Sequence, residues 1–395
     1  MAVTREQGPE DRESGADESE RGISDEFTSA LLRTAVAPAW VALGAVGVLS
    51  ALGGALSALG VGADLPAVAG YLPFLASLVV FGLPHGATDH LAVARLGGSR
   101  SRDGSGSRGE SVSRGEFRSQ VLSRLRVPSH PWLAVGAAYL VGGGAYLAVW
   151  LVSPVLGFAS FIALTWYHWG QGDLYVLLAV GDHLRTRGQR VAALAVRGGI
   201  PMVVPLVGFP DVYRSVAAAT IGLFDLGFGP DLGVVFRPET RLALGGGLAA
   251  LSLVALALGA VRAGVGSRGW RLDALETALL WAYFLVVPPI LAVGLYFCLW
   301  HSVRHVARLL VVEDRESLAP DRLAPSLAGF GRDALPNTVG ALVVLGGLAL
   351  VAPPGADLLS LLGLYLVLLA VLTLPHAAIV TWMDLREEIW ASGRS

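Results

Sequence analysis

Five uncharged apolar stretches, at 34–63, 132–152, 242–261, 277–300 and 358–374, each reach or approach the roughly 20 residues that a helix needs to cross the hydrocarbon of a bilayer. A helix satisfies its own backbone hydrogen bonds, which hydrocarbon cannot do for it. The fold class expected is therefore all-α, a polytopic transmembrane helix bundle. Composition agrees: of 395 residues, 54% are hydrophobic and only 15% charged, and the mean hydropathy is +0.60. A soluble globular chain of this length carries far more charge.

The first 26 residues hold nine acidic groups and no apolar run. They cannot form the basic and then apolar leader of a cleaved signal peptide, so targeting falls to the first membrane helix. The expected organisation is an acidic disordered tail at 1–33 and a membrane domain at 34–395. An Arg/Gly/Ser-rich loop interrupts that domain at 97–127, where 21 of 31 residues are Gly, Ser or Arg and no core can be buried. One cysteine, Cys298, excludes an intrachain disulfide and a thiolate-rich metal site. With a net charge of −2, no nucleic-acid partner is expected.

Arginines orient the spans, because short cytoplasmic loops are enriched in basic residues. Arg33 precedes the first span, seven arginines lie in 97–127, and Arg185, Arg187 and Arg190 follow the fourth span. Arg262, Arg268 and Arg271 follow the sixth, and Arg315, Arg322 and Arg332 precede the penultimate one, whereas the turns at 62–65 and near Ser153 have none. This alternation places both termini in the cytoplasm. The stretch 273–312 would be about 60 Å long as a single helix, twice a bilayer core, and Pro288 and Pro289 divide it. Eight to ten spans result, with 191–209 the weakest because Arg197, Pro201 and Pro205 break its pattern.

Six of the eight histidines lie in or at the ends of apolar spans: His85, His90, His168, His301, His305 and His376. Ionisable groups inside a membrane are costly, face the bundle interior and mark function by default. His130 and His183 flank polar loops and are read as surface residues. His301 and His305 are four residues apart, on one helix face, at a spacing that lets two imidazoles share an ion. On a continuous helix His85 and Asp89 share a face, while His85 and His90 diverge by about 140°. Asp89 is then a candidate to orient a ligand imidazole, and His90, Asp173, Arg304 and His376 are further supporting candidates around the metal.

Depth gives an independent check. From the outer ends near Leu65, Pro154, Pro289 and Leu358, the histidines at 85, 168, 301, 305 and 376 lie 20, 14, 12, 16 and 18 residues in. Helices running in one direction thus bring imidazoles to similar depth, as a shared site requires. Neutral imidazoles suit iron, zinc, copper or nickel about equally. A site within hydrocarbon favours an apolar substrate arriving from the lipid and O₂ activation by iron, and Trp166, Tyr167, Trp169, Tyr296, Phe297 and Trp300 are candidates to line its tunnel.

Together Gly82-Leu83-Pro84-His85-Gly86-Ala87-Thr88-Asp89-His90, Tyr167-His168-Trp169-Gly170, His301-Ser302-Val303-Arg304-His305 and Leu374-Pro375-His376 resemble the Brp/Blh family of β-carotene 15,15′-dioxygenases. The match runs in order from about Leu65 to Asp384. The resemblance implies a cell-membrane enzyme that uses Fe(2+) and O₂ to cleave β-carotene centrally into two retinals, the chromophore of rhodopsin-type proteins. It implies His85, His168, His301 and His305 as iron ligands. Trp169 stands where a Phe commonly follows this histidine, and the family does not explain the 97–127 loop. Two alternatives remain: a membrane di-iron desaturase or hydroxylase, although the adjacent His-His pairs of that class are absent, and a non-catalytic metal- or haem-binding membrane protein.

Overall fold

A computed structural model describes residues 26–60, 67–80, 82–98, 130–224 and 232–391. In chain order its helices are α1 (Glu26–Ala58), α2 (Ala67–Ser77), α3 (Gly82–Gly86), α4 (Asp89–Gly98), α5 (Pro131–Val152), α6 (Pro154–Val180) and α7 (Arg187–Gly208). There follow α8 (Pro210–Gly222), α9 (Pro238–Ala263), α10 (Arg268–Val286), α11 (Pro289–Glu313), α12 (Leu323–Val351) and α13 (Leu358–Arg386). No strand occurs among the described residues.

Local chemistry sets these boundaries. Proline opens α5, α6, α8, α9 and α11, at positions where its missing N–H is not needed. Thr186 and Gln189 form a reciprocal capping box at the start of α7. Ser267 caps α10 and Asp357 caps α13. Gly264, at φ +80°, ends α9 in a conformation that a side chain would strain.

Eight described helices are long and apolar enough to cross a membrane: α1, the 68–96 stretch, α5, α7, α9, α11, α12 and α13. α6, with 27 residues, is also long enough, but His168, Gln171 and Asp173 lower its hydropathy, and α10 carries Asp273 and Glu276. The bundle is therefore layered. In α7 72% of the most apolar window is buried and in α11 67%, against 17% in α5 and α12. The outer helices turn residues such as Leu140, Val261 and Leu350 outward. Lipid is the solvent that accepts such a surface; water is not.

Three expectations change. The tail at 1–33 ends earlier, because residues 26–33 already belong to α1 with Leu31 fully buried; residues 1–25 lie outside the described part. The stretch 191–209 is the most enclosed of the eight spans rather than the weakest, since Arg197 is buried and charge-paired and two prolines are tolerated in the helix. His183 is fully buried beneath the start of α10, where its Nε2 meets Asp273 at 3.2 Å. His130 is exposed, as expected, and the break at Pro288 and Pro289 does separate α10 from α11. The loop at 97–127 lies, from residue 99 on, outside the described residues.

Candidate metal centre

His85 is delivered by a break in the second membrane segment. α2 ends at Ser77, and the chain then passes so tightly that a Cβ on Gly82 would lie 2.2 Å from the Ser77 carbonyl oxygen. Glycine alone fits there. On α3, His85 Nδ1 contacts the Gly82 carbonyl, which can only accept, so this contact selects the neutral tautomer with the proton on Nδ1 and the lone pair on Nε2. The segment is not one continuous helix: α3 stops at Gly86 and α4 starts at Asp89. The shared helix face expected for His85 and Asp89 is therefore replaced by a turn, and Asp89 points its carboxylate at His376 instead.

His168 sits mid-way along α6. That helix packs so closely on α7 that a Cβ on Gly170 would meet the Leu194 carbonyl oxygen at 2.3 Å. His301 closes a π-helical segment, Tyr296–His301, before α-helix resumes towards His305. Such wide turns recur at functional sites because they re-aim one side chain. His376 follows Pro375 inside α13.

The five rings converge. Ring centres of His168 lie 4.7 Å from both His301 and His376, and those of His85 lie 5.0 Å from His376 and 5.4 Å from His301 and His305. His305 and His376 are 4.9 Å apart. Nε2 of His168 faces Nε2 of His301 at 3.1 Å, close to the ~3.3 Å that separates two nitrogen ligands on one tetrahedral ion. His85, His168 and His301 offer ligand atoms within 4.8 Å of one another, and so do Asp89, His305 and His376. All are buried, and His168 Nδ1, His301 Nδ1, His305 Nε2 and His376 Nε2 have no hydrogen-bond partner. Buried polar atoms are normally satisfied. A group of imidazoles with open nitrogens and no thiolate fits a borderline transition metal.

His90 does not join them; it stands beside Asn337, with Nδ1 3.4 Å from Nδ2. Asp173 and Arg304 form a second, ionic cluster. Asp173 accepts from Trp300 Nε1 at 2.9 Å and from Arg304 at 3.1 Å, and Arg304 also binds Glu276. Arg197 reaches Asp273 at 3.1 Å and Glu276 at 2.8 Å, and Trp40 donates to Glu276 at 2.9 Å. Five helices, α1, α6, α7, α10 and α11, are thereby joined. Sequence reasoning missed Glu276, Arg197, Asp273 and Tyr139 as parts of this interior, although an ionisable residue in an apolar span was the available signal for the first three.

An apolar cleft of about 100 Å³, partly open to the surroundings, lies behind the aromatic side chains that pack on the imidazoles. Its inner wall is Trp169 and Phe297, stacked at 6.2 Å, and it continues past Phe158, Phe161 and Tyr213. Phe297 lies 5.6 Å from His85, and Trp169 lies 5.7 Å from His301. Of the six aromatic candidates only these two line the cleft. Trp166 donates to the Ala195 carbonyl, Tyr167 bonds Gln171, Trp300 serves Asp173, and Tyr296 packs against Phe284.

The sequence profile of the β-carotene 15,15′-dioxygenase family matches residues 116–384, well over half of the chain. The chain belongs to the β-carotene 15,15′-dioxygenase family. It is 45% identical over 363 residues to the probable β-carotene 15,15′-dioxygenase Blh of Halobacterium salinarum, covering 90% of this chain and 93% of that one. It is 36% identical over 270 residues to the probable β-carotene 15,15′-dioxygenase Brp of the same organism, covering 64% and 75%. No solved structure matches the chain. His85 precedes the stretch matched by the family profile, so its place in the candidate metal centre rests on the approach of its ring to the other four.

Proposed function

We propose that this membrane protein cleaves β-carotene at its central double bond with O₂, giving two molecules of retinal, at an iron held by His85, His168, His301 and His305. The observation that carries the reading is the meeting of two features: imidazoles grouped as a metal could use them, and an apolar cleft whose walls Trp169 and Phe297 pack on His301 and His85. Iron would supply the activation of O₂. The chain does the rest.

Trp169 and Phe297 set flat apolar surfaces beside His301 and His85, against which a conjugated chain stacks with its middle near the imidazoles. The cleft walls offer almost no polar atom that could hold a water chain, which protects the reacting double bond from hydration. The α3 break and the π-helical turn aim His85 and His301 from opposite elements, so the donor set is in place before substrate arrives. In balance, one C=C bond breaks and each carbon receives one oxygen atom of O₂. Two equal aldehydes follow.

On this reading the enzyme lies in the cell membrane with both termini cytoplasmic, takes β-carotene from the lipid and releases retinal there for a rhodopsin-type protein. Expression in carotene-producing cells tests it: yellow pigment should fall and retinal appear, dependent on iron and O₂, with His85→Ala and His168→Ala abolishing the change. Longer apocarotenals as the main product would overturn central cleavage. Unchanged carotene with iron-loaded protein would overturn the enzymatic reading.

A further inference from the structure

We infer that His376 is a fifth imidazole ligand of the same metal, held in its ligating form by Asp89 and Tyr139. The inference rests on the metal-centre reading above and adds to it a residue on α13 that the family motif did not assign.

Three observations carry it. First, the ring of His376 approaches three of the four rings as closely as those rings approach one another, 4.7 Å from His168, 4.9 Å from His305 and 5.0 Å from His85. Second, its contacts select one tautomer. Nδ1 lies 2.8 and 3.0 Å from the two oxygens of Asp89, and a carboxylate can only accept, so the neutral ring keeps its proton on Nδ1 and presents its lone pair at Nε2. Third, that Nε2 is buried and has no partner, on a residue 4% exposed, amid rings that hold nitrogens equally unpartnered.

Asp89 is itself fixed. It is buried at the first position of α4, where the helix end favours negative charge, and Tyr139 of α5 donates to its Oδ2 at 2.7 Å. Gly86 leaves the ring its room, since a Cβ there would come within 3.3 Å of His376 Nδ1, and the ring would have to give by a few tenths of an ångström. A hydroxyl, a carboxylate and an imidazole in line are the arrangement by which proteins set the tautomer and basicity of a metal-bound histidine. Asp89 and Tyr139 are positioning residues; His376 touches the metal.

The test uses Co²⁺, whose visible absorption reports coordination, with the full chain purified in detergent. His85→Ala should lose Co²⁺ binding, and if it does not, the metal-centre reading itself falls. His376→Ala should still bind Co²⁺, at least 10-fold more weakly and with an altered visible spectrum, because one nitrogen has left the ion. Unchanged affinity and spectrum in His376→Ala, alongside loss in His85→Ala, would overturn the fifth ligand and leave the four-histidine centre intact. Should His376→Ala fail to accumulate, Asp89→Asn decides. It should bind Co²⁺ about 10- to 100-fold more weakly, and wild-type affinity there would overturn the assignment.

Discussion

Two polar clusters sit inside the bundle, and α6 and α11 contribute to both, yet they are finished in opposite ways. Around Arg197 and Arg304, three carboxylates, two guanidinium groups and the Trp40 and Trp300 indoles pair with one another across five helices. Around His85, the four other imidazoles lie with ring centres 5.0 to 6.3 Å away, and four nitrogens of the group have no hydrogen-bond partner. Three residues along α11 separate His301 of one cluster from Arg304 of the other. In the first, every charged group meets an opposite charge, even though Asp173 Oδ2, Arg197 Nη1 and Arg304 Nε lack a hydrogen-bond partner; in the second, the unpartnered imidazole nitrogens are lone-pair or N–H groups with no such balance inside the chain, a donor set suited to an ion from outside it.

The pair His301→Ala and Arg304→Met breaks or upholds that contrast with the largest expected effects. His301→Ala should abolish carotene cleavage and most bound metal while the protein still inserts and keeps its thermal stability. Arg304→Met leaves Asp173, Asp273 and Glu276 with Arg197 as their one remaining guanidinium partner in the cluster, and breaking a buried ion pair costs about 3–5 kcal/mol. It should lower yield and melting temperature, yet the fraction that folds should carry metal normally. The reverse pattern, metal lost from a stable Arg304→Met, would make the ionic cluster part of the metal site.

A smaller effect sharpens the boundary between the imidazoles and the cleft. Trp169 stands 5.7 Å from His301 and lines the cleft without bonding a ligand ring. Trp169→Phe should keep metal content at the wild-type level and change KM for β-carotene several-fold. Metal loss on that substitution would show that the indole supports the ligands rather than the substrate.

The smallest effect lies outside both clusters, at the start of α13. Asp357 is hydrogen-bonded by the Ser360 hydroxyl at 2.6 Å and the Ser360 amide at 2.9 Å, which hold its carboxyl below the usual carboxylate range. A depressed folded-state pKa stabilises above the unfolded value, near 3.9, and that contribution disappears as pH falls through the folded value. Asp357→Asn should therefore slightly flatten the loss of stability below about pH 4 and leave metal binding and activity unchanged. A change in activity would mean that the mouth of α13 communicates with His376 nineteen residues on.

Much of this protein is readable along the chain because hydrocarbon imposes length and polarity rules that act residue by residue. The apolar runs mark the helices, Pro288 and Pro289 divide α10 from α11, and intramembrane histidines stand out because nothing in lipid would satisfy them. His301 and His305 are legible as a pair since four residues make about one helical turn. Their meeting with His85, His168 and His376 was foreshadowed by similar depth in parallel helices.

What periodicity could not supply was direction around each axis. The turn between Gly86 and Asp89 overturned the helical face assumed for Asp89, because α3 stops and α4 starts where a hydropathy plot reads on. His183 and the 191–209 stretch were misjudged for a related reason. A histidine beside a loop and an arginine in a weak span look like surface features until Asp273 and Glu276 arrive from another helix. So the sequence by itself determined the solvent, the helices and the residue types of a metal site, since each follows from local composition. Only the tertiary structure decided which nitrogens meet, which carboxylate faces which ring and which charges pair, because those depend on helix rotation and on partners that lie from 28 residues away, as for Arg304 and Glu276, to 287, as for His376 and Asp89.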